Sequence, residues 1–481
     1  MPVNHVLLET IELTQSAASV TFDNIPQTGY TDLKIVMSVR GGTGNSNYDP
    51  IGVKVNGSTP SQQYKSLGGT GSGTVAFGAS NDTFTASTAG GTWARMSSSG
   101  TQPGVTTANV FSNDCLYLAN YTSTLDKAWS YDTATENNAT QAYVEMTAGS
   151  FVSTTGITSI AFALRDGSFV AGSTFSLYGI AATGTTPVTA PLAQGGNIVA
   201  NDGTYWYHAF LASGTFTPTI SLTCDVLVVA GGGSGGAGGN SGGAGGGGAG
   251  GLLYFSSQSV TSQSMVTVGA GAAAIATTGG NALNGSTGSD SQFASLTLVK
   301  GGGYGGGGRL NDLSYSIGGT GGSGGGAGRW SDSGTVNGGA ATSGQGNPGG
   351  NSSTTGGGRG SGGGGGAGAA GTNGVSTTNN DGAGGAGVNT YSAWATATST
   401  GVSGYYAGGG GGSSVYTSNG TGGAGGGGAG GTAATGSAQT ATSGTRNTGG
   451  GGGGMGGADA SVLKTSGAGG SGIVIIRYAM A

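Results

Sequence analysis

Two histidines, two cysteines and a thin scatter of carboxylates are all that this 481-residue chain offers to ordinary catalysis. His5 and His208 have no companion at metal-ligand spacing and no evident nucleophile nearby in sequence, so each reads as a strand residue. Cys115 and Cys224 lie far apart, in apparently separate domains, which argues against a disulfide framework or a zinc site. Asp202, Asp225, Asp290, Asp312 and Asp332 are candidates for the paired carboxylates of a glycosidase only if folding brings two of them together. Gly-x-Gly-x-x-Gly recurs many times, but in so dense a glycine background the match means nothing. No Gly-Lys-Ser/Thr follows any run, so there is no phosphate loop. Gly456-Gly457-Ala458-Asp459 stands alone, whereas a calcium-binding repeat needs an Asp at every nine-residue step. The expectation is a protein that is not an enzyme and carries no cofactor or metal.

The chemistry that remains is recognition. Short inserts carrying Arg, Tyr or Trp interrupt the glycine tract, and Arg309, Tyr315, Arg329, Trp330, Tyr391, Trp394, Tyr405, Tyr406 and Tyr416 are the candidate contact residues. Tyr and Trp offer a large contact area at low entropic cost and stack on sugar faces. A second reading stands beside this one: the same rings pack and cap the edges of the domain they interrupt.

Whatever positions these residues must be built from glycine. Of the 114 glycines, 89 fall in residues 231–472. Glycine is costly to order, by roughly 0.5–1 kcal/mol relative to alanine in regular structure. Collagen needs glycine at every third residue and abundant proline, but Gly362 to Gly366 are consecutive and Pro348 is the only proline of the tract. A flexible Gly/Ser linker would not be bracketed by apolar strands. Arg309, Arg329, Arg359 and Arg446 all lack the Arg-Gly-Gly context of an RNA-binding segment. A sandwich of polyglycine II helices meets these constraints. Such helices have three residues per turn and no internal hydrogen bonds, so their N–H and C=O groups must pair with neighbouring helices. Runs 231–251, 301–308, 318–328, 356–371, 407–412, 422–431 and 449–457 would form this lattice, with the inserts as its connecting loops.

Four segments follow. Residues 1–182 read as an all-β sandwich, jelly-roll-like. Leu33, Ile35, Met37 and Val39 alternate with Lys34, Val36, Ser38 and Arg40, with Val36 the one mismatch. Ile51, Val53 and Val55 end at Asn56-Gly57, a hairpin-turn dipeptide. Residues 183–196, with Pro187 and Pro191, read as a linker. Residues 197–230 form a small β unit ending in the apolar strand Asp225 to Ala230. Residues 231–481 are the glycine-rich domain, closed by Ile473 to Tyr478, which is expected to pair with Asp225–Ala230. Only 7% of residues are charged, against about 25% in ordinary domains. The net charge of −5 without a basic patch argues against nucleic acid as a partner. The N-terminus lacks a signal-peptide pattern, and no apolar run approaches the roughly 20 residues of a membrane span, so a soluble protein is expected.

Asp225–Gly233 (DVLVVAGGG), Gly285–Gly303 (GSTGSDSQFASLTLVKGGG) and Gly469–Tyr478 (GGSGIVIIRY) resemble the glycine-rich domain of tailed-phage fibre and adhesin proteins. Val20–Leu33 (VTFDNIPQTGYTDL), Asn113–Tyr121 (NDCLYLANY) and Ile157–Ile180 resemble a β-domain of phage virion structural proteins. The resemblance implies a virion location and a tail fibre or adhesin that binds a glycan or outer-membrane protein on the bacterial surface. It also implies that the loops between glycine runs make the contact. The other implied partners are virion proteins, through the N-terminal domain, and copies of the chain itself, a trimer being compatible with the polar surface. A head-decorating or other non-receptor virion protein is the alternative.

Overall fold

The computed structural model describes the chain outside residues 1–4, 42–48, 71–74, 80–81, 97–109, 137–141, 182–190, 240–241, 279–280, 309–314, 330–334, 354–359, 376–380, 414–418, 432–438, 458–462 and 481. Among the described residues it is all-β apart from one α-helix, Ser392–Ala397. Two compact units are formed, one from 1–191, 197–206 and 480–481, the other from 192–196 and 207–479. Most of the expected linker lies outside the described residues. The expected small β unit is shared between the two, the chain passing from one to the other within the strand Tyr205–Phe210.

In the first unit two antiparallel sheets enclose one core. The larger runs, in spatial order, through Ile198–Asn201, His5–Glu12, Thr174–Ala181, Tyr30–Ser38, Asn113–Leu118, Lys127–Glu136, Ala142–Val152, Ser61–Thr70 and Val75–Ala79. The smaller is Ser19–Phe22, Ile160–Leu164, Ile51–Val55, Thr92–Arg95 and Thr83–Thr85. Alternation decides which side chains meet between them. Leu33, Ile35 and Met37 are buried and pack with Ile51, Val53, Ile160 and Phe162. Val36, the mismatch in the pattern, faces outward at 37% exposure. Asn56 and Gly57 both take positive φ, 50° and 73°, as a tight hairpin turn of this dipeptide requires. Val55 and Ser58 exchange backbone hydrogen bonds across it at 2.8 and 3.0 Å.

In the second unit the strand Leu222–Val229 pairs antiparallel with Ile473–Ala479, from Asp225 opposite Arg477 to Val229 opposite Ile473. The two apolar strands that bracket the glycine tract therefore close it, as their hydrophobicity predicts. Leu252–Val260 flanks the pair on one side and Tyr205–Phe210 on the other. Val226 to Val229 and Ile473 to Ile476 are fully buried.

Beyond this sheet the glycine runs bond in a repeat of three. Along residues 245–251, the N–H groups of Gly245, Gly248 and Gly251 donate to Gly306, Gly303 and Lys300. Gly246 and Ala249 donate to Gly362 and Gly365, while Gly247 and Gly250 donate to Gly452 and Gly449. The carbonyls of the same run accept from Gly236 and Gly233, from Gly326 and Ser323, and from Gly410. One run is thus bonded to six neighbours, donating to three and accepting from three. Residues i and i+3 reach the same neighbour, which is the signature of a threefold helix without internal hydrogen bonds. The polyglycine II lattice expected from composition is the architecture found.

Glycine is required here by close approach rather than by an unusual φ. A Cβ on Gly247 would lie 2.2 Å from the carbonyl oxygen of Gly233, and one on Gly364 would lie 2.0 Å from that of Gly247. Alanine or serine enters at a few buried positions, among them Ala244, Ala249, Ala327, Ser234 and Ser361. Their hydroxyls are used: Ser234 Oγ accepts the Ser286 N–H at 2.8 Å, and Ser361 Oγ donates to the Ser413 carbonyl at 2.7 Å. Several lattice helices carry little glycine. Leu283, Ser286 and Ser289 accept from Ala237, Ser234 and Gly231 in the same three-residue step. Leu283, Ser286 and Ser289 are exposed, as are Thr320 and Ala340 on other rim helices. Side chains on these rims end the lattice, because successive Cβ atoms along one face keep a further helix from approaching, whereas a single Ala or Ser can be accommodated.

Candidate binding surface

The inserts leave the lattice in two groups, at opposite ends of its helices. Gly239 donates to Gly308 at 3.2 Å, Arg329 to Gly243 at 2.8 Å, Ser413 to Ala244 at 2.9 Å and Gly457 to Gly242 at 3.1 Å. These bonded residues flank the undescribed segments 240–241, 309–314, 330–334, 414–418 and 458–462, and they lie together at one end, the far end. Ala230 donates to Gly251, and Gly250 to Gly449, at the other end, where the apolar sheet begins. A run of eight residues at roughly 3.1 Å rise separates the ends by about 20–25 Å.

Arg309, Trp330 and Tyr416 lie outside the described residues. Tyr315 is half-buried at the far end, its carbonyl accepting the Gly308 N–H at 2.7 Å. Arg329 ends a lattice run and is 1% exposed, with its carbonyl accepting from Ser316 Oγ at 3.2 Å. Its side chain is therefore buried and not part of an exposed surface.

Tyr391, Trp394, Tyr405 and Tyr406 come together at the sheet end in a single folded insert, residues 388–407. Val388 and Tyr406 close it with reciprocal backbone bonds of 2.9 and 3.1 Å. A six-residue helix is far too short to persist alone, and Ser392–Ala397 has no side-chain cap. Trp394 holds it in place. This ring is 3% exposed and meets Tyr207, Tyr391 and Tyr254 at centroid distances of 5.9, 5.9 and 6.0 Å, each close to edge-on. The Arg477 guanidinium lies over it at 4.6 Å, an arrangement that favours a cation against a ring face. Tyr406 is fully buried, its hydroxyl 2.5 Å from Thr400 Oγ1. For Trp394 and Tyr406, therefore, the packing reading describes what the side chains do. Tyr391 and Tyr405 stay half-exposed.

Arg477 Nε and Nη2 both donate to Asp225 Oδ2, at 3.1 and 3.0 Å, and the Ser257 N–H donates to Oδ1 at 3.0 Å. Burial by itself would raise the Asp225 carboxyl, but these donors hold it below its usual range. The other described carboxylates of the candidate set are likewise committed. Asp290 pairs with Lys300 at 2.9 Å, and Asp202 accepts the Thr204 and Tyr205 N–H groups of a turn. Asp312 and Asp332 lie outside the described residues. His208 is fully buried between the Gly195 carbonyl, 2.6 Å from Nδ1, and the Tyr478 hydroxyl, 3.1 Å from Nε2. A carbonyl only accepts, so Nδ1 carries the proton and Nε2 accepts from Tyr478. Burial lowers the imidazole to about 4.

Tyr254 is the residue that sequence patterning missed. It sits in an ordinary-looking strand, and no local signal places it beside Tyr391, 137 positions later, at 5.4 Å between ring centroids. Among the described residues no helix is long and apolar enough to cross a membrane.

No curated protein and no solved structure matches the chain. Residues 211–479, which run from the strand before the tract through the strand that closes it, match the family described as a glycine-rich domain. The match spans more than half of the chain and covers the lattice with its stapling strands, and the chain accordingly belongs to this glycine-rich domain family.

Proposed function

We propose that this chain is a phage virion structural protein, a tail fibre or adhesin that binds the bacterial cell surface. One observation carries the reading: the described residues that flank five inserts are bonded to one another at one end of a lattice whose runs are bonded to neighbours on all sides. A rigid scaffold presenting variable segments together is a common recognition design, and a preordered scaffold spares a binding site much of its ordering cost. The far end, with Arg309, Trp330 and Tyr416 on the departing segments and Tyr315 at their base, is the contact face. The N-terminal sandwich attaches the chain to other virion proteins, in a homo-oligomer that leaves this face outward. Neither nucleic acid nor catalysis enters the reading.

Two measurements test it. Replacing segments 309–314, 330–334 and 414–418 together by Ser/Gly stretches of equal length should abolish binding of labelled full-length protein to host cells while its melting temperature holds. Retained binding would remove the contact face from the far end. Antibody labelling of whole particles by electron microscopy should mark the tail, and label over the capsid would replace the adhesin with a head-decorating protein.

A further inference from the structure

At the sheet end, remote from the proposed contact face, the surface carries an aromatic pair. Tyr254 is 38% exposed and Tyr391 is half-exposed. Their rings lie 5.4 Å apart and 32° from parallel. Both rest on Trp394, which is fixed in turn by Tyr207 and Arg477. The pair is thus held in place before any ligand arrives. The adjacent charges are already matched, Arg477 Nη2 to Asp225 Oδ2 at 3.0 Å, so the site has no free charge to offer a charged ligand. Exposed serines are its chain neighbours: Ser256 and Ser257 lie two and three residues after Tyr254 on its strand, and Ser392 follows Tyr391. Ser257 is held at φ 54°, its N–H on Asp225. It stands where the pairing of Leu222–Val229 with Leu252–Val260 shifts register, and a bulge of this kind accounts for its φ.

We propose that Tyr254 and Tyr391 form a second binding site, for one or two rings of a neutral saccharide. Flat ring faces give apolar contact for the C–H side of a sugar, and serine hydroxyls can exchange hydrogen bonds with its polar edge. A protein partner would need an interface of about 800 Å² on this side, far more than two tyrosines supply. The choice of a surface glycan as the ligand rests on the adhesin reading, but the site itself does not involve the far-end segments.

The test is calorimetric titration of the full chain with cellohexaose, laminarihexaose and chitohexaose, with an alginate oligomer as the acidic comparison. Saturable binding of a neutral oligosaccharide is expected, weakened at least tenfold in Tyr254→Ala and Tyr391→Ala and within twofold in Tyr254→Phe and Tyr391→Phe. The phenylalanine variants keep the packing and the ring face, so they separate stacking from folding. Hydroxyl-radical labelling of the unaltered protein should show Tyr254 and Tyr391 protected by saturating sugar. No binding of any neutral sugar, binding of alginate alone, or unchanged labelling of both tyrosines would overturn the proposal. Host-cell binding that survives the double alanine variant and needs the far-end segments would leave the adhesin reading standing without this site. Sugar binding that persists while far-end replacement leaves cells bound would do the reverse.

Discussion

Placing one methyl group in the middle of the lattice should reverse the usual sign of a glycine-to-alanine substitution. Where the native backbone suits it, Gly→Ala stabilises by about 0.4–1 kcal/mol, because alanine loses less freedom on folding. Gly247 is outside the left-handed region, so strain in φ does not oppose the change. Space does: the new Cβ would lie 2.2 Å from the Gly233 carbonyl oxygen, 2.7 Å from its carbon and 2.8 Å from the Ser234 carbonyl carbon. Those atoms are backbone and cannot rotate away, so the run must move by about an ångström. Overpacking of this kind costs roughly 1–3 kcal/mol. Moving the run also stretches bonds such as Gly247 to Gly452, 2.8 Å, and Gly233 to Gly248, 2.9 Å, each contributing about 0.5–1.5 kcal/mol. A net loss of about 1–5 kcal/mol is expected for Gly247→Ala, taking these terms together with the entropic gain. Ala249→Gly in the same run is the control. It removes a buried methyl without a clash, and should cost only about 1–2 kcal/mol through lost burial and added chain entropy. Guanidinium chloride denaturation with a fluorescence readout gives both numbers. If Gly247→Ala is as stable as the unaltered chain, close backbone contact does not set this lattice and the reasoning fails.

The buried His208 gives the second unit a pH dependence. Its imidazole titrates near 4 in the fold against about 6.5 in an unfolded chain. The unfolded state therefore binds the extra proton first, and stability falls as pH drops from about 6.5 to about 4, by up to roughly 3 kcal/mol. Denaturation midpoints across that range should show the loss in the unaltered protein and a flatter profile in His208→Phe; equal profiles would contradict it. Trp394→Ala should undo the 388–407 insert, since buried Trp→Ala changes cost about 3–5 kcal/mol and the helix has no stability of its own. Hydrogen exchange should show the Val388 and Tyr406 amides losing protection while Gly245–Gly251 keep theirs, and retained protection at Val388 would refute the anchor role.

The lattice runs are legible only where glycine is dense. Runs such as 231–251 and 449–457 announce themselves because a Cβ there would strike backbone. The helices through Ser286 and Ala340 do not, because rim positions accept side chains and then resemble loops. The aromatic inserts were legible as inserts, but not as to which rings face solvent. Burial of Trp394 depends on Tyr207, Tyr254 and Arg477, residues of three separate strands whose meeting no local spacing encodes.

By itself the sequence determined the material: threefold helices bonded to one another, closed by Asp225–Ala230 and Ile473–Tyr478. Excluding every side chain is a local property, written in each residue. Tertiary structure alone decided which turns gather at the far end and which insert folds back on the sheet. That choice depends on how an up-and-down path stacks its runs, and glycine, lacking a side chain, carries no label to say which neighbour a run will meet.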